Sequence, residues 1–166
     1  EQIGRLATDG AVADPFWSVG CETLDRSYAD FGAYRNYVAP LGVGCARIQS
    51  GWARCEQTRG RYDFTWLDEI VDGLCAQGVK PWMNLSYGNP LYGADKGLGS
   101  KIFTDEETLR AWERFVMAVV RRYKGRVTEW EVWNEPNLGR NADKHEAYAR
   151  LLMRTAEAVR RVDPEA

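Results

Sequence analysis

The sequence predicts an α/β protein of four successive strand–helix units, arranged as the N-terminal half of a (β/α)8 TIM barrel. Three observations predict it. Four short apolar runs alternate with four longer stretches whose apolar residues recur at helical spacing. Such alternation implies a parallel sheet, because parallel neighbours need a crossover connection, usually a helix. The long loops follow strands rather than helices, which gathers them at one end of the sheet, where barrel enzymes build their sites. The turn after the first run, Gly20-Cys21-Glu22-Thr23-Leu24, lacks the glycines that a doubly wound nucleotide-binding sheet needs there. Both architectures fit the alternation, and this last feature favours the barrel.

Residues 16–21 are the first apolar run, ending at a polar cluster. Phe31, Tyr34, Val38 and Leu41 follow at helical spacing, and Gly42 closes that helix. Residues 43–49 make the second strand. Arg59-Gly60 marks a turn, and Thr65 is placed to cap a helix carrying Leu67, Ile70, Val71 and Leu74, which Gly78 stops. Residues 79–85 are the third strand. After a glycine-rich loop, Thr104 and Glu107 read as a capping box for a helix with Leu109, Trp112, Phe115, Val116, Val119, Val120 and Tyr123 on one stripe. Residues 127–133 form the fourth strand. Asp143 and Glu146 are placed to cap the last helix, which carries Tyr148, Leu151, Leu152, Thr155 and Val159 and ends before Pro164. A full barrel takes roughly 250 residues, so residues 1–166 are expected to be one partial barrel domain, with strands five to eight absent.

Composition narrows the function classes. The chain is 45% hydrophobic and 28% charged, with a net charge of −2, an ordinary globular balance. Neither nucleic acid nor an anionic membrane is expected as a partner, and no apolar run approaches the roughly 20 residues of a spanning helix. The sequence begins at Glu1 without a signal-peptide pattern, and localisation is left open. Cys21, Cys45, Cys55 and Cys75 form no C-x-x-C pair, and His145 is the lone histidine. Zinc needs clustered thiolates and imidazoles, so no metal is expected, and no cofactor. The cysteines read as buried thiols, with a Cys45–Cys55 disulfide across a turn as the alternative.

The chemistry concentrates on the fourth strand. Alternation puts Trp130 and Val132 on one face, suited to helix packing, and Glu129, Glu131 and Trp133 on the other, with Glu135 next in phase. Acidic side chains lining one interior are costly unless paired or functional. On the second strand Val43, Cys45, Arg47 and Gln49 share a face, so Arg47 is expected inward, as a partner for Glu131.

Glu131-Val132-Trp133-Asn134-Glu135-Pro136-Asn137 resembles the fourth-strand signature of clan A glycoside hydrolases, nearest to family 39, the β-xylosidase type. Gly51-Trp52-Ala53, Gly60-Arg61-Tyr62-Asp63-Phe64, Trp66-Leu67-Asp68 and Ser86-Tyr87-Gly88-Asn89-Pro90 agree with that family. The resemblance covers nearly all of the chain after Phe16. It implies a retaining β-glycosidase whose acid/base is Glu135. Asn134 would contact the sugar hydroxyl beside the anomeric carbon, and Arg47 would sit beside the nucleophile. It also implies that the nucleophile, a Glu ending the seventh strand, is matched by no residue here.

The chemistry agrees. A retaining glycosidase needs two carboxyl groups roughly 5 Å apart, one of them kept protonated by burial or by a neighbouring carboxylate. Trp52, Tyr87 and Tyr92 on loops after strands are candidate sugar platforms, and Asn89 a candidate substrate contact, unless these residues simply cover the barrel top. A carbohydrate is the expected partner. The alternatives to an enzyme are a half-barrel that binds sugar without turnover and an inactive fragment, a bare folding unit with no ligand. Two open sheet edges further predict a homodimer that completes the barrel.

Overall fold

The computed structural model describes residues 16–166; the N-terminal residues that bear on a signal peptide lie outside them. Strands β1 (Ser18–Gly20), β2 (Cys45–Gln49), β3 (Lys80–Leu85) and β4 (Trp130–Val132) form one sheet in the order β1-β2-β3-β4. All three pairings are parallel. Backbone pairing runs past the strand ends: Gly44 N donates to Trp17 O and Cys21 N to Arg47 O, while Met83 N donates to Glu129 O and Trp133 N to Leu85 O. The predicted extents of the first and fourth strands are therefore close to the paired backbone.

Register sorts the sheet into two faces. Ser18 and Gly20 stand beside Cys45 and Arg47, then Trp82 and Asn84, then Glu131. This face is polar, and Trp82 Nε1 donates across it to Ser18 Oγ at 3.1 Å. The opposite face presents Ala46, Ile48, Met83, Leu85 and Val132, all buried. Against it pack α3 (Thr65–Cys75), through Leu67, Val71 and Leu74, and α4 (Glu106–Tyr123), through Leu109, Trp112, Phe115, Val116 and Val119. α5 (His145–Val162) packs on α4 and β4, and α1 (Phe31–Val38) on α3. Each fully buried Leu or Phe contributes roughly 1.5–3 kcal/mol, so the apolar face holds the unit together. One polar link runs inside it: Trp112 Nε1 donates to Thr155 Oγ1, whose hydroxyl donates to Leu151 O.

The caps differ from expectation. Thr65 is the first residue of α3 rather than its cap, and its N–H is taken by Asp63 Oδ1. At α4 the cap is Asp105, which accepts from Thr108 N, one residue beyond the Thr104 box. Asp opening a first turn that also holds Glu106 and Glu107 suits the positive end of the helix dipole. α5 starts after Lys144 with no side-chain cap, so Asp143 does not fill that role. The first helix ends at Val38, a 3-10 turn follows, and Leu41 is exposed where Gly42 takes a left-handed conformation. Leu152 is also largely outside the core. No disulfide joins the cysteines. Cys21 and Cys55 are buried as expected, whereas Cys75 is exposed and Cys45 half-buried, because their strand and helix positions face away from the core. Burial pushes the Cys55 thiol up to about 12.

Asp68 on α3 ties that helix to α4. Its two oxygens accept from Arg122 Nε and Nη2, and Oδ1 also accepts from the Tyr123 hydroxyl. The Arg122 hydrogen bonds hold its carboxyl below the ordinary aspartate value. A depressed carboxyl stabilises the fold above the ordinary range and loses that contribution as pH falls through the folded value. Arg122 is half exposed, so the effect is modest. Asp68→Asn is expected to cost about 0.5–1 kcal/mol at neutral pH and to shallow the loss of thermal stability on acidification. An acid limb unchanged from wild type in calorimetry would contradict this.

Candidate active site

The site lies on the polar face at the C-terminal ends of β2, β3 and β4, and Arg47 is its centre. Nε and Nη2 reach Glu131 Oε2 at 2.7 and 2.6 Å. Nη1 donates to Glu22 Oε1 at 2.7 Å, and Nη2 also donates to Asn134 Oδ1 at 3.1 Å. One guanidinium thus joins the residues just past β1 and β4 from a position on β2. Its planar fork satisfies several acceptors at once, which an ammonium could not do in the same geometry. Burial pulls the guanidinium pKa down, yet hydrogen bonds and charge from Glu22 and Glu131 outweigh it and leave it above its ordinary value. The expected Arg47–Glu131 pair is present. Glu22 was not singled out in the sequence, although it continues the inward phase of Ser18 and Gly20.

The backbone after β4 carries the candidate acid/base. Trp133 and Glu135 both have left-handed φ, 68° and 50°, which is costly for residues with a Cβ and persists only where the surroundings hold it. The Trp133 ring is buried, meeting the rings of Tyr87, Phe103 and Trp112. Asn134 turns its Oδ1 to Arg47, and Leu138 N closes on Glu135 O. Glu135 itself is exposed, and its side chain has no partner among the described residues. The burial expected around it is not provided by the described residues, since the polar face is open on that side.

The loop residues divide. Tyr87 lies beside the site but is only 3% exposed, with its ring edge on Trp133, Arg26 over its face and its hydroxyl accepting from Gln49 Nε2. Gln49 is an unforeseen link, since its Oε1 accepts from Thr23 N and Arg26 Nη2. Trp52 is not a sugar platform. It opens the short helix α2 (Trp52–Cys55), is 0% exposed, stacks on Tyr92 and Phe115, and donates to Glu56 Oε2 at 2.6 Å. Both of its faces are occupied, so it presents none to a ligand. Tyr92 is similarly spent, between Trp52 and Arg59. Asn89 is 1% exposed, with Oδ1 accepting from Leu91 N and Nδ2 donating to Glu56 O. One N–H and one lone pair of its amide shape the loop, and its burial rather than exposure on the open face corrects its placement as a substrate contact. Among the described residues no group of three His, Cys, Asp or Glu side chains is gathered as a metal would need, and no helix is long and apolar enough to cross a membrane.

Residues 28–166 match the family model described as Glycosyl hydrolases family 39. The chain belongs to that family. This family-39 chain is 34% identical over 116 residues to a β-xylosidase of Geobacillus stearothermophilus, an alignment covering 62% of it and 23% of the relative. It is 28% identical over 150 residues to a 6-phospho-β-glucosidase of Dickeya chrysanthemi, covering 86% and 30%. Among solved structures it is similar to a GH39 β-xylosidase from Caulobacter crescentus, with a TM-score of 0.69 at 23% identity, over 96% of this chain and 41% of that one. The family-39 chain therefore has the fold of four barrel units, and it spans less than a third of the length of those two curated relatives.

Proposed function

We propose that this chain supplies the acid/base half of a retaining β-glycoside hydrolase, within a partial barrel domain of residues 1–166. The observation that carries the reading is the Arg47 fork. It spends the acids Glu22 and Glu131 and the oxygen of Asn134, while Glu135 stands next in line with no side-chain partner among the described residues. Relatives whose names give β-xylosidase and 6-phospho-β-glucosidase support a β-configured substrate.

In this reading Glu135 gives its proton to the glycosidic oxygen as the bond to the anomeric carbon breaks. A carboxylate from outside these residues takes the sugar as an ester. Glu135, now a carboxylate, then takes a proton from the water that attacks the same carbon. With its oxygen on Arg47, Asn134 has Nδ2 left to donate to the hydroxyl beside the anomeric carbon, a bond that strengthens as charge develops. The test is hydrolysis of aryl β-xylosides and β-glucosides by the protein with its complete barrel. Turnover lost in Glu135→Ala supports the reading; sugar binding without turnover favours a carbohydrate-binding role.

The 166-residue chain on its own is expected to associate as a two-fold dimer, because β1 and β4 both end the sheet with unpaired backbone groups. Pairing β1 with β4 twice would close eight strands. The partner's β3 would then occupy the seventh position, and it ends at Met83-Asn84-Leu85-Ser86 without a carboxylate, so little hydrolysis is expected. A compact monomer in light scattering counts against the dimer, and robust hydrolysis by the pure chain counts against the assignment of roles.

A further inference from the structure

Asn84 sits near the end of β3, fully buried, and makes two short hydrogen bonds of 2.5 Å. Nδ2 donates to the backbone oxygen of Trp133, and Oδ1 accepts from the Ser86 hydroxyl. The orientation of the amide is forced. The Trp133 oxygen can only accept, so nitrogen must face it, and Ser86 must then donate to the remaining oxygen. Ser86 is held in turn, with its N–H donating to Ser50 Oγ and its carbonyl accepting from the same hydroxyl.

The bond falls at a telling place. Trp133 has a left-handed φ, and its own N–H is already taken by Leu85 O. With Asn84 on the carbonyl, β3 grips the Trp133 residue at both its N–H and its C=O. The next peptide leads to Asn134, pinned by Arg47, and then to Glu135, again left-handed. Glu135 has no anchor of its own for its side chain among the described residues, so its direction is set by this backbone.

We infer that Asn84 is a positioning residue for Glu135, acting through the Trp133 carbonyl to hold the strained turn that aims the acid/base at the glycosidic oxygen. The inference rests on the proposed role of Glu135. An aspartate at 84 keeps the shape and, while protonated as burial favours, donates to the Trp133 oxygen as the amide does. Ionised at higher pH, it puts an acceptor against an acceptor and releases the turn. The variant is therefore compared with wild type across pH, and the loss is read at the alkaline end.

The test uses the protein with its complete barrel and two aryl β-glycosides, one with a strongly activated leaving group and one with a poor one. In Asn84→Asp, at the alkaline end, kcat/KM on the poor substrate is expected to fall about ten- to a hundredfold relative to wild type, as for a small misplacement of a catalytic group. On the activated substrate it is expected to change less than about threefold, since little protonation is needed there. Ser86→Ala, which only loosens Asn84, should shift the same ratio more weakly, and it carries the test if the aspartate variant does not fold. Adding Asn84→Asp to Glu135→Gln should cost little more on the poor substrate, because residues acting as a unit are non-additive. Equal losses on both substrates, or none, overturn the inference. If Glu135→Gln shows no dependence on the leaving group, the role of Glu135 fails first; if it does and the 84 and 86 variants do not, only the positioning role fails.

Discussion

Glu135→Gln is expected to lower kcat/KM for a poor leaving group by roughly 10²–10⁴-fold, the usual contribution of a positioned acid, and to leave kcat/KM for an activated aryl glycoside nearly unchanged. The asymmetry comes from the two steps. kcat/KM reports bond breaking up to the sugar ester, and an activated phenolate departs without a proton. kcat for the activated substrate should nevertheless fall, because breakdown of the ester needs the same residue as base. A burst of released phenol ahead of slow turnover would be its kinetic mark. Equal, near wild-type turnover on both substrates would refute the assignment.

Arg47→Met is expected to have the largest combined effect. Methionine replaces only the aliphatic stem of the side chain and leaves Glu22 and Glu131 without their shared cation and Asn134 Oδ1 unheld. Removing one partner of a buried charged pair costs about 3–5 kcal/mol. Glu22 and Glu131 are each more than a third exposed, so water screens them, and about 1–3 kcal/mol is the expected loss of stability. Activity should fall further than the folded fraction explains, because Asn134, the proposed contact to the sugar hydroxyl, is free to turn away. Thermal unfolding together with kcat/KM at a temperature where the variant is fully folded separates the two effects. An Arg47→Met protein that keeps wild-type stability would show that the fork contributes nothing net to the fold.

How far the sequence led depended on the kind of signal. Strand faces were legible in residues 43–49 and 127–132, because alternation depends on a period of two and a one-residue error would bury Arg47 among the helices. The Arg47–Glu131 pair followed from it. The phase breaks at Trp133, expected inward beside Glu131, where a left-handed φ turns the ring into the core against Phe103 and Trp112. Caps were legible only to within a residue or so: Thr104-Asp105 and Asp63-Phe64-Thr65 offer neighbouring candidates, and tertiary packing selects between them. Exposure of loop residues was not legible. Trp52 and Asn89 follow strands as ligand contacts do, yet Trp52 fills the core beneath the loop and Asn89 spends its amide on backbone. Nothing local in the sequence separates an aromatic ring on a barrel top from one under it. Glu22 and Asn84 carried a usable signal, since both are polar and in phase with inward neighbours at strand ends. Gln49 was placed on the correct face without a role, because its partners Thr23, Arg26 and Tyr87 come from other loops.

The span of the Arg47 contacts along the chain also bears on the order of folding. Arg47 meets Glu22 across 25 residues, but Glu131 across 84 and Asn134 across 87. Closing a long loop costs conformational entropy before any contact rewards it, and distant pairings tend to form slowly. During N-terminal-first synthesis, β1 and β2 can dock and engage Glu22 while β4 is not yet made. Asn134 and Glu135 gain their places only when the fourth strand zips onto β3. Maturation of the site is thereby made a late event, coupled to completion of the sheet rather than to any single unit within it.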